Sequence, residues 1–85
     1  MVLKETSRFR KQRKKLKSAA EKDALKNAIT MLLGEPEKGK KLKGEFRDLR
    51  SLRYQAAGQA RRLVYKLDSE NLVLFSFGPR EGIYK

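Results

Sequence analysis

Apolar positions along the chain change their spacing once, and the change divides helices from strands. Between residues 9 and 33 they recur at steps of three, four or seven, the signature of helices with one buried stripe; beyond residue 49 they alternate or run together, as in strands. Val2 and Leu3, ahead of Lys4, Glu5 and Thr6, form a short first candidate strand. Thr6 and Ser7 are N-cap residue types and predict a helix over about Arg8 to Lys17, with Phe9 and Leu16 on its apolar stripe. Ser18 with Glu21 three positions on is a capping-box pattern. It opens a second helix along which Leu25, Ala28, Ile29, Leu32 and Leu33 recur, and which Gly34 and Pro36 end.

Residues 35–44 hold glycine, proline and charge without a period, and read as a connector whose sizeable apolar residue is Leu42. Leu49 to Tyr54 reads as a strand of imperfect alternation. Leu49 and Leu52 fall on opposite faces, so a bulge or frayed start is expected there. Gln55 to Ala60 reads as a turn too long for a tight hairpin, with Gly58 as its permissive backbone position. In the next strand, Arg61 to Leu67, Leu63, Tyr65 and Leu67 share one face, and Arg62, Val64 and Lys66 the other. After a turn at Asp68 to Asn71, Leu72 to Phe77 is nearly continuous apolar, the pattern of a strand covered on most sides, and Gly78 with Pro79 stops it. The last two strands form a hairpin, which folds Arg80 back toward Arg62. The order predicts an α+β fold: an N-terminal strand, then a two-helix antiparallel hairpin packed on one face of a small antiparallel meander sheet (β-α-α-β-β-β).

Composition narrows the chemistry. Eighty-five residues are read as a single domain, 1–85, with a thin core. There is no cysteine and no histidine, which removes thiolate metal sites, the commonest metal ligand and the usual neutral-pH acid or base. No metal and no cofactor are expected. No apolar run approaches a membrane span of about 18 residues, and the start, Met1 to Glu5, lacks a signal-peptide stretch. A cytoplasmic protein without membrane contact is expected. The net charge is +12, concentrated in residues 1–44, where 14 basic side chains face 5 acidic ones. An excess this large on a small chain favours a polyanionic partner, because each phosphate neutralised releases counterions.

With carboxylates confined to loops and ends, and no glycine-rich phosphate loop opening a helix, the remaining chemistry is cationic. Arg50, Arg53, Arg62 and Arg80 are expected to converge on the sheet face away from the helices, where guanidinium forks suit phosphate oxygens. Tyr84 can stack on a base or donate to oxygen. A solvated basic face is the plainer reading of any one of these arginines. Lys40, Lys41 and Lys43 make the connector a basic loop.

Leu42-Lys43-Gly44, Leu49-Arg50-Ser51-Leu52-Arg53, Arg62-Leu63-Val64-Tyr65, and Gly78-Pro79-Arg80-Glu81 with Tyr84 together resemble the RelE/ParE superfamily of toxins from type II toxin–antitoxin pairs, in its RelE-like branch. The resemblance spans roughly residues 16–84. It implies a RelE-like fold and a metal-independent, ribosome-dependent messenger-RNA endonuclease that cuts in the A site by attack of the 2′-hydroxyl on the adjacent phosphate. It assigns catalytic roles to Arg62 as the phosphate-binding arginine, to Arg80 as the arginine that assists the leaving oxygen or stabilises the phosphorane, and to Tyr84, which stacks on, or takes a proton near, the attacked nucleotide. RNA-binding roles fall to Lys41, Lys43, Arg50, Arg53 and Arg61. The family's strand lysines have no clear match; Arg50 and Arg53 occupy that region, and an always-charged guanidinium is a poor base. That leaves Lys41 or Lys43 as candidates for the base. Only one residue follows Tyr84, so no C-terminal helix is expected. Expected partners are the ribosome, messenger RNA and an acidic, partly disordered antitoxin that folds on the basic surface. Two other readings carry the same residues: a ParE-like inhibitor of DNA gyrase without nuclease activity, and a non-catalytic RNA-binding module.

Overall fold

In the computed structural model of the chain, which describes residues 1–79, two helices lie on one face of a five-stranded mixed sheet. The elements are β1 (Val2–Glu5), α1 (Ser7–Lys15), α2 (Ala19–Gly34), β2 (Lys40–Lys41), β3 (Leu49–Ala56), β4 (Gln59–Leu67) and β5 (Asn71–Pro79), with a 3-10 turn at Gly44–Phe46 before β3. The sheet order is β1-β5-β4-β3-β2. β3, β4 and β5 form the expected antiparallel meander, and β1 joins the far edge parallel to β5. No helix among the described residues is long and apolar enough to cross a membrane.

Both helix starts follow the capping chemistry of the sequence. Thr6 Oγ1 accepts from the Phe9 N–H at 3.1 Å and donates to the Phe75 carbonyl at 2.9 Å. Ser18 Oγ accepts from the Glu21 N–H, but the Glu21 carboxylate does not complete the box; it pairs with Arg61 on β4 instead. α1 is stitched to β5: Phe9 meets Phe77 edge-to-face at 5.2 Å, and Gln12 Oε1 accepts from the Phe77 N–H. The buried side of the sheet, built from Leu52, Leu63, Tyr65, Leu72, Leu74 and Phe77, packs on Phe9, Leu25, Ala28 and Leu32. Leu33, expected on the stripe of α2, is exposed at the helix end.

The strands differ from expectation in three places. The turn after β3 is tight: the ladder runs out to Ala56 opposite Gln59, leaving Ala57 and Gly58 as the loop. Both have positive φ, 51° and 76°, the two-residue geometry whose twist matches its flanking strands, and Ala56 and Ala60 continue the strands. The bulge lies elsewhere. β3 pairs with β4 without a break, while the β4–β5 register shifts between Val64 and Tyr65, leaving Phe75 as the extra residue. The Thr6 hydroxyl satisfies the Phe75 carbonyl at that irregularity. Within the connector, Lys40 and Lys41 form a short edge strand, paired with Ser51 and Arg50.

That edge strand is held by a buried phenol. Tyr65 has no exposed surface; its hydroxyl donates to the Pro36 carbonyl at 2.7 Å and accepts from the Gly39 N–H at 2.9 Å. The approach is close enough that a Cβ on Gly39 would sit 2.6 Å from the ring, which explains glycine there. Tyr54 is the counter-example: its hydroxyl is buried without a hydrogen-bond partner, and burial pushes its pKa up to about 12.

One substitution therefore has opposite consequences at two positions. Tyr65→Phe strands a buried N–H and a part-buried carbonyl and is expected to cost about 1–3 kcal/mol in chemical denaturation. Tyr54→Phe removes an unpaired hydroxyl and is expected to leave stability unchanged or raised. Because folding raises the Tyr54 pKa, the wild type keeps this contribution below pH 10 and loses it as pH climbs toward about 12. Tyr54→Phe flattens that alkaline decline, and a smaller part remains from Tyr65, whose pKa burial also raises.

Candidate functional site

Strand alternation separates neighbouring arginines. On β4, Arg61 lies on the helix side opposite Tyr54, and Arg62 lies on the other side opposite Arg53. Arg61 Nη2 pairs with the Glu21 carboxylate at 2.8 Å, both side chains less than one-fifth exposed. This guanidinium ties the start of α2 to the sheet and is set apart from the far face. Arg50 also departs from the expected convergence. Even-numbered residues of β3 lie on the helix side, and Arg50 Nη1 donates there to the carbonyls of Gly39 (3.0 Å) and Glu37 (3.3 Å), bracing the connector.

The far face holds a cavity of about 320 Å³, lined among the described residues by Lys40, Leu42, Ser51, Arg53 and Arg62. Three cations meet there, and no carboxylate of the described residues lines it. Arg53 and Arg62 are direct cross-strand partners, an arrangement of like charges that destabilises a sheet on its own. Ser51 forms part of the wall; it is 8% exposed, and its Oγ is buried without a hydrogen-bond partner. Gly78, opposite Arg62, brings no side chain to the face. A concavity with clustered cations and an unpartnered hydroxyl suits an anion with several acceptor oxygens, such as a phosphodiester.

Of the residues singled out from sequence, Arg53 and Arg62 are brought together in this cavity. Lys41 lies in register with Arg50 and lines a separate depression with Arg47, Asp48 and Lys66. Lys43 precedes the 3-10 turn and is exposed. Arg80 and Tyr84 lie outside the described residues. Two cavity residues escaped assignment, Lys40 and Ser51. The signal that finds them is parity: once β2 and β3 pair, positions 40 and 51 face each other, on the side of Arg53 and Arg62. No cluster of carboxylates suited to a metal occurs among the described residues.

On the helix side, a groove of about 510 Å³ separates α1 from α2. Leu16, Leu25 and Ile29 floor it, and Arg13, Lys14, Lys22 and Lys26 rim it.

The family profile of the ParE-like toxins of type II bacterial toxin–antitoxin systems matches residues 3–85, and the chain belongs to that family. It is a toxin of a type II system with a RelE-like fold. The chain is similar to the Escherichia coli RelE toxin in the intact RelBE toxin–antitoxin complex, with a TM-score of 0.73, 23% identity, and coverage of 94% of this chain and 96% of that one. It is similar to isolated Escherichia coli RelE at a TM-score of 0.73 and 26% identity, covering 94% and 84%. It also resembles a RelE variant bound to a RelB peptide, at 0.70 and 27%, covering 95% and 84%. No curated protein sequence matches the chain.

The two adjacent arginines are expected to separate in one experiment. Arg62→Ala weakens binding of a short RNA and lowers the salt dependence of that binding by about one counterion. Arg61→Ala leaves RNA affinity near wild type and costs about 1–3 kcal/mol of stability, because Glu21 loses its partner. Fluorescence anisotropy across a salt series, alongside denaturant melts, reads both.

Proposed function

We propose that the protein is a ribosome-dependent messenger-RNA endonuclease that cuts in the A site and so arrests translation. The observation that carries this reading is the far-face cavity, where Arg53 and Arg62 oppose each other beside Lys40 and the unpartnered Ser51 hydroxyl. In the reaction the 2′-hydroxyl attacks the adjacent phosphorus and the 5′ oxygen leaves. Arg62 contributes hydrogen bonds and charge where the pentacoordinate phosphorus gathers negative charge, and Arg53 holds the flanking backbone. Arg80 and Tyr84, carried over from the resemblance, complete the site in this reading: Arg80 assists the leaving oxygen or stabilises the phosphorane, and Tyr84 stacks on the attacked nucleotide or takes a proton near it. Arg50 and Arg61, engaged on the helix side, serve the framework. Lys41 and Lys43 sit at the margin and guide RNA toward the cavity. A site made largely of permanent cations is a weak acid–base catalyst, so the ribosome's positioning of the strand supplies much of the rate.

Primer extension on messenger RNA after induction is expected to show A-site cuts for the wild type. Arg62→Ala is expected to cut about 10²–10³-fold more slowly, and Arg80→Ala to lose the cuts. Rapid cleavage of naked RNA by the pure protein, or induction without arrest, would overturn the reading. The ParE-like family match favours one second reading, inhibition of DNA gyrase. Loss of supercoiling activity on adding the pure toxin, with messenger RNA left intact, would establish it.

The RelE neighbours occur in complexes with RelB, and by the same logic this toxin has a cognate antitoxin. Its toxin-binding segment is acidic and partly disordered when free, and lies along the cation-rimmed groove between α1 and α2. Charge complementarity of this kind acts mainly on encounter, so raising salt is expected to slow association far more than it speeds dissociation. Stopped-flow mixing of the two proteins measures both rates.

A further inference from the structure

We infer that Ser51 reads the ribose in the far-face cavity: its hydroxyl accepts a hydrogen bond from the 2′-hydroxyl of the nucleotide whose phosphate the cations hold. The inference rests on the nuclease reading above and adds to it a specificity residue. The side chains that line the cavity divide by what they can exchange. Lys40, Arg53 and Arg62 carry N–H donors and no acceptor, and Leu42 carries neither. Among the described lining residues, Ser51 is the side chain with lone pairs to offer. A phosphodiester presents acceptor oxygens alone, which the three cations already suit. The donor that RNA brings beside each phosphate, and DNA lacks, is the 2′-hydroxyl.

Burial and placement support the same assignment. Ser51 is 8% exposed, and its Oγ is buried without a hydrogen-bond partner. Buried hydroxyls are normally paired, because an unpaired one leaves its desolvation cost unopposed. In the register across the sheet Ser51 lies between Lys40 and Val64, and the Arg53–Arg62 pair lies two residues further along. Same-face neighbours on a strand are about 7 Å apart. The phosphate and the 2′-hydroxyl are carried on adjacent ribose carbons. A phosphate gripped by the arginine row therefore leaves the hydroxyl within one row of it, where Ser51 stands.

The test measures binding of the toxin to programmed ribosomes in an Arg80→Ala background, in which the messenger stays intact. Two messengers are compared, one all ribose and one with a single deoxyribose on the 5′ side of the scissile phosphate. With Ser51 in place, the ribose strand is expected to bind about 3- to 10-fold more tightly, the span of one hydrogen bond between neutral groups. Ser51→Ala is expected to bind both strands alike, and Ser51→Thr, which keeps the hydroxyl, to retain the preference. Arg62→Ala weakens both strands by the same factor, because the phosphate is common to them. Circular dichroism melts confirm that each variant folds, and a merely structural serine would alter binding of the two strands equally. A ribose preference that survives Ser51→Ala overturns the inference and leaves the nuclease reading intact. So does the lack of any preference on ribosomes whose natural messenger the wild type cuts. Failure of the wild type to cut natural messenger in the A site overturns the nuclease reading itself, and this inference with it.

Discussion

The two hydrogen bonds of the Tyr65 hydroxyl hold the rest of the site in place. The phenol is buried on β4, and it reaches across to the Pro36 carbonyl and the Gly39 N–H of a connector that otherwise has no apolar anchor before Leu42. Arg50 adds a guanidinium to the carbonyls of Glu37 and Gly39 on the same segment. With residues 36–39 fixed, the next two residues have only one way to join the sheet edge: Lys40 beside Ser51 and Lys41 beside Arg50. A slip of one residue would exchange the two lysines between faces, because strand side chains alternate. The position of one ammonium in the cavity thus depends on a hydroxyl buried on the opposite side of the sheet.

The same alternation sorts the arginines by what they do for the fold. Those on the helix side meet acceptors: Arg61 finds Glu21 and Arg50 finds backbone carbonyls, while Arg10 and Arg13 of α1 pair with Glu5 of β1. Arg13 holds the Glu5 carboxyl below its usual range. Across the sheet, Arg53 and Arg62 face one another in a cavity to which no acid among the described residues contributes. Clustered like charges and an unpaired, buried Ser51 hydroxyl are features that a bound anion suits.

How much of this was legible in the sequence depends on the range of the interaction involved. Caps act over three or four residues, so Thr6, Ser18 and the ends of both helices could be read directly. The apolar parity of β4 could be read too, since Leu63 and Tyr65 share the buried helix side, although Val64 is buried on the other face. The tight turn was obscured because Ala56 and Ala60 carry no strand signal of their own; pairing with neighbours, which local composition does not report, extends the ladder through them. The face of Arg50 was misjudged for a related reason. Its parity follows from the register with Tyr65, and Leu49 at the start of β3 suggested an irregularity that actually lies across the sheet at Phe75. Lys40 was hidden because a two-residue edge strand leaves no periodicity to detect. Of the proposed catalytic set, Arg62 is placed in the cavity, whereas the contributions of Arg80 and Tyr84 stand on the family resemblance.

Absence of histidine from the whole chain turns these placements into a chemical constraint. A reaction that moves protons near neutrality must then rely on lysine, tyrosine, carboxylates or solvent. The carboxylates of the described chain are on the helix side or in loops, and the described tyrosines are both drawn inward, Tyr65 into the connector clamp and Tyr54 beneath α2 with its pKa pushed up to about 12. Each of those phenols holds its proton more tightly than it would in water, the wrong direction for a base. A chain built this way has strong charge stabilisation and sparse proton transfer, and such a balance favours substrates already held in line for attack, with the reacting atoms positioned by something larger than the toxin.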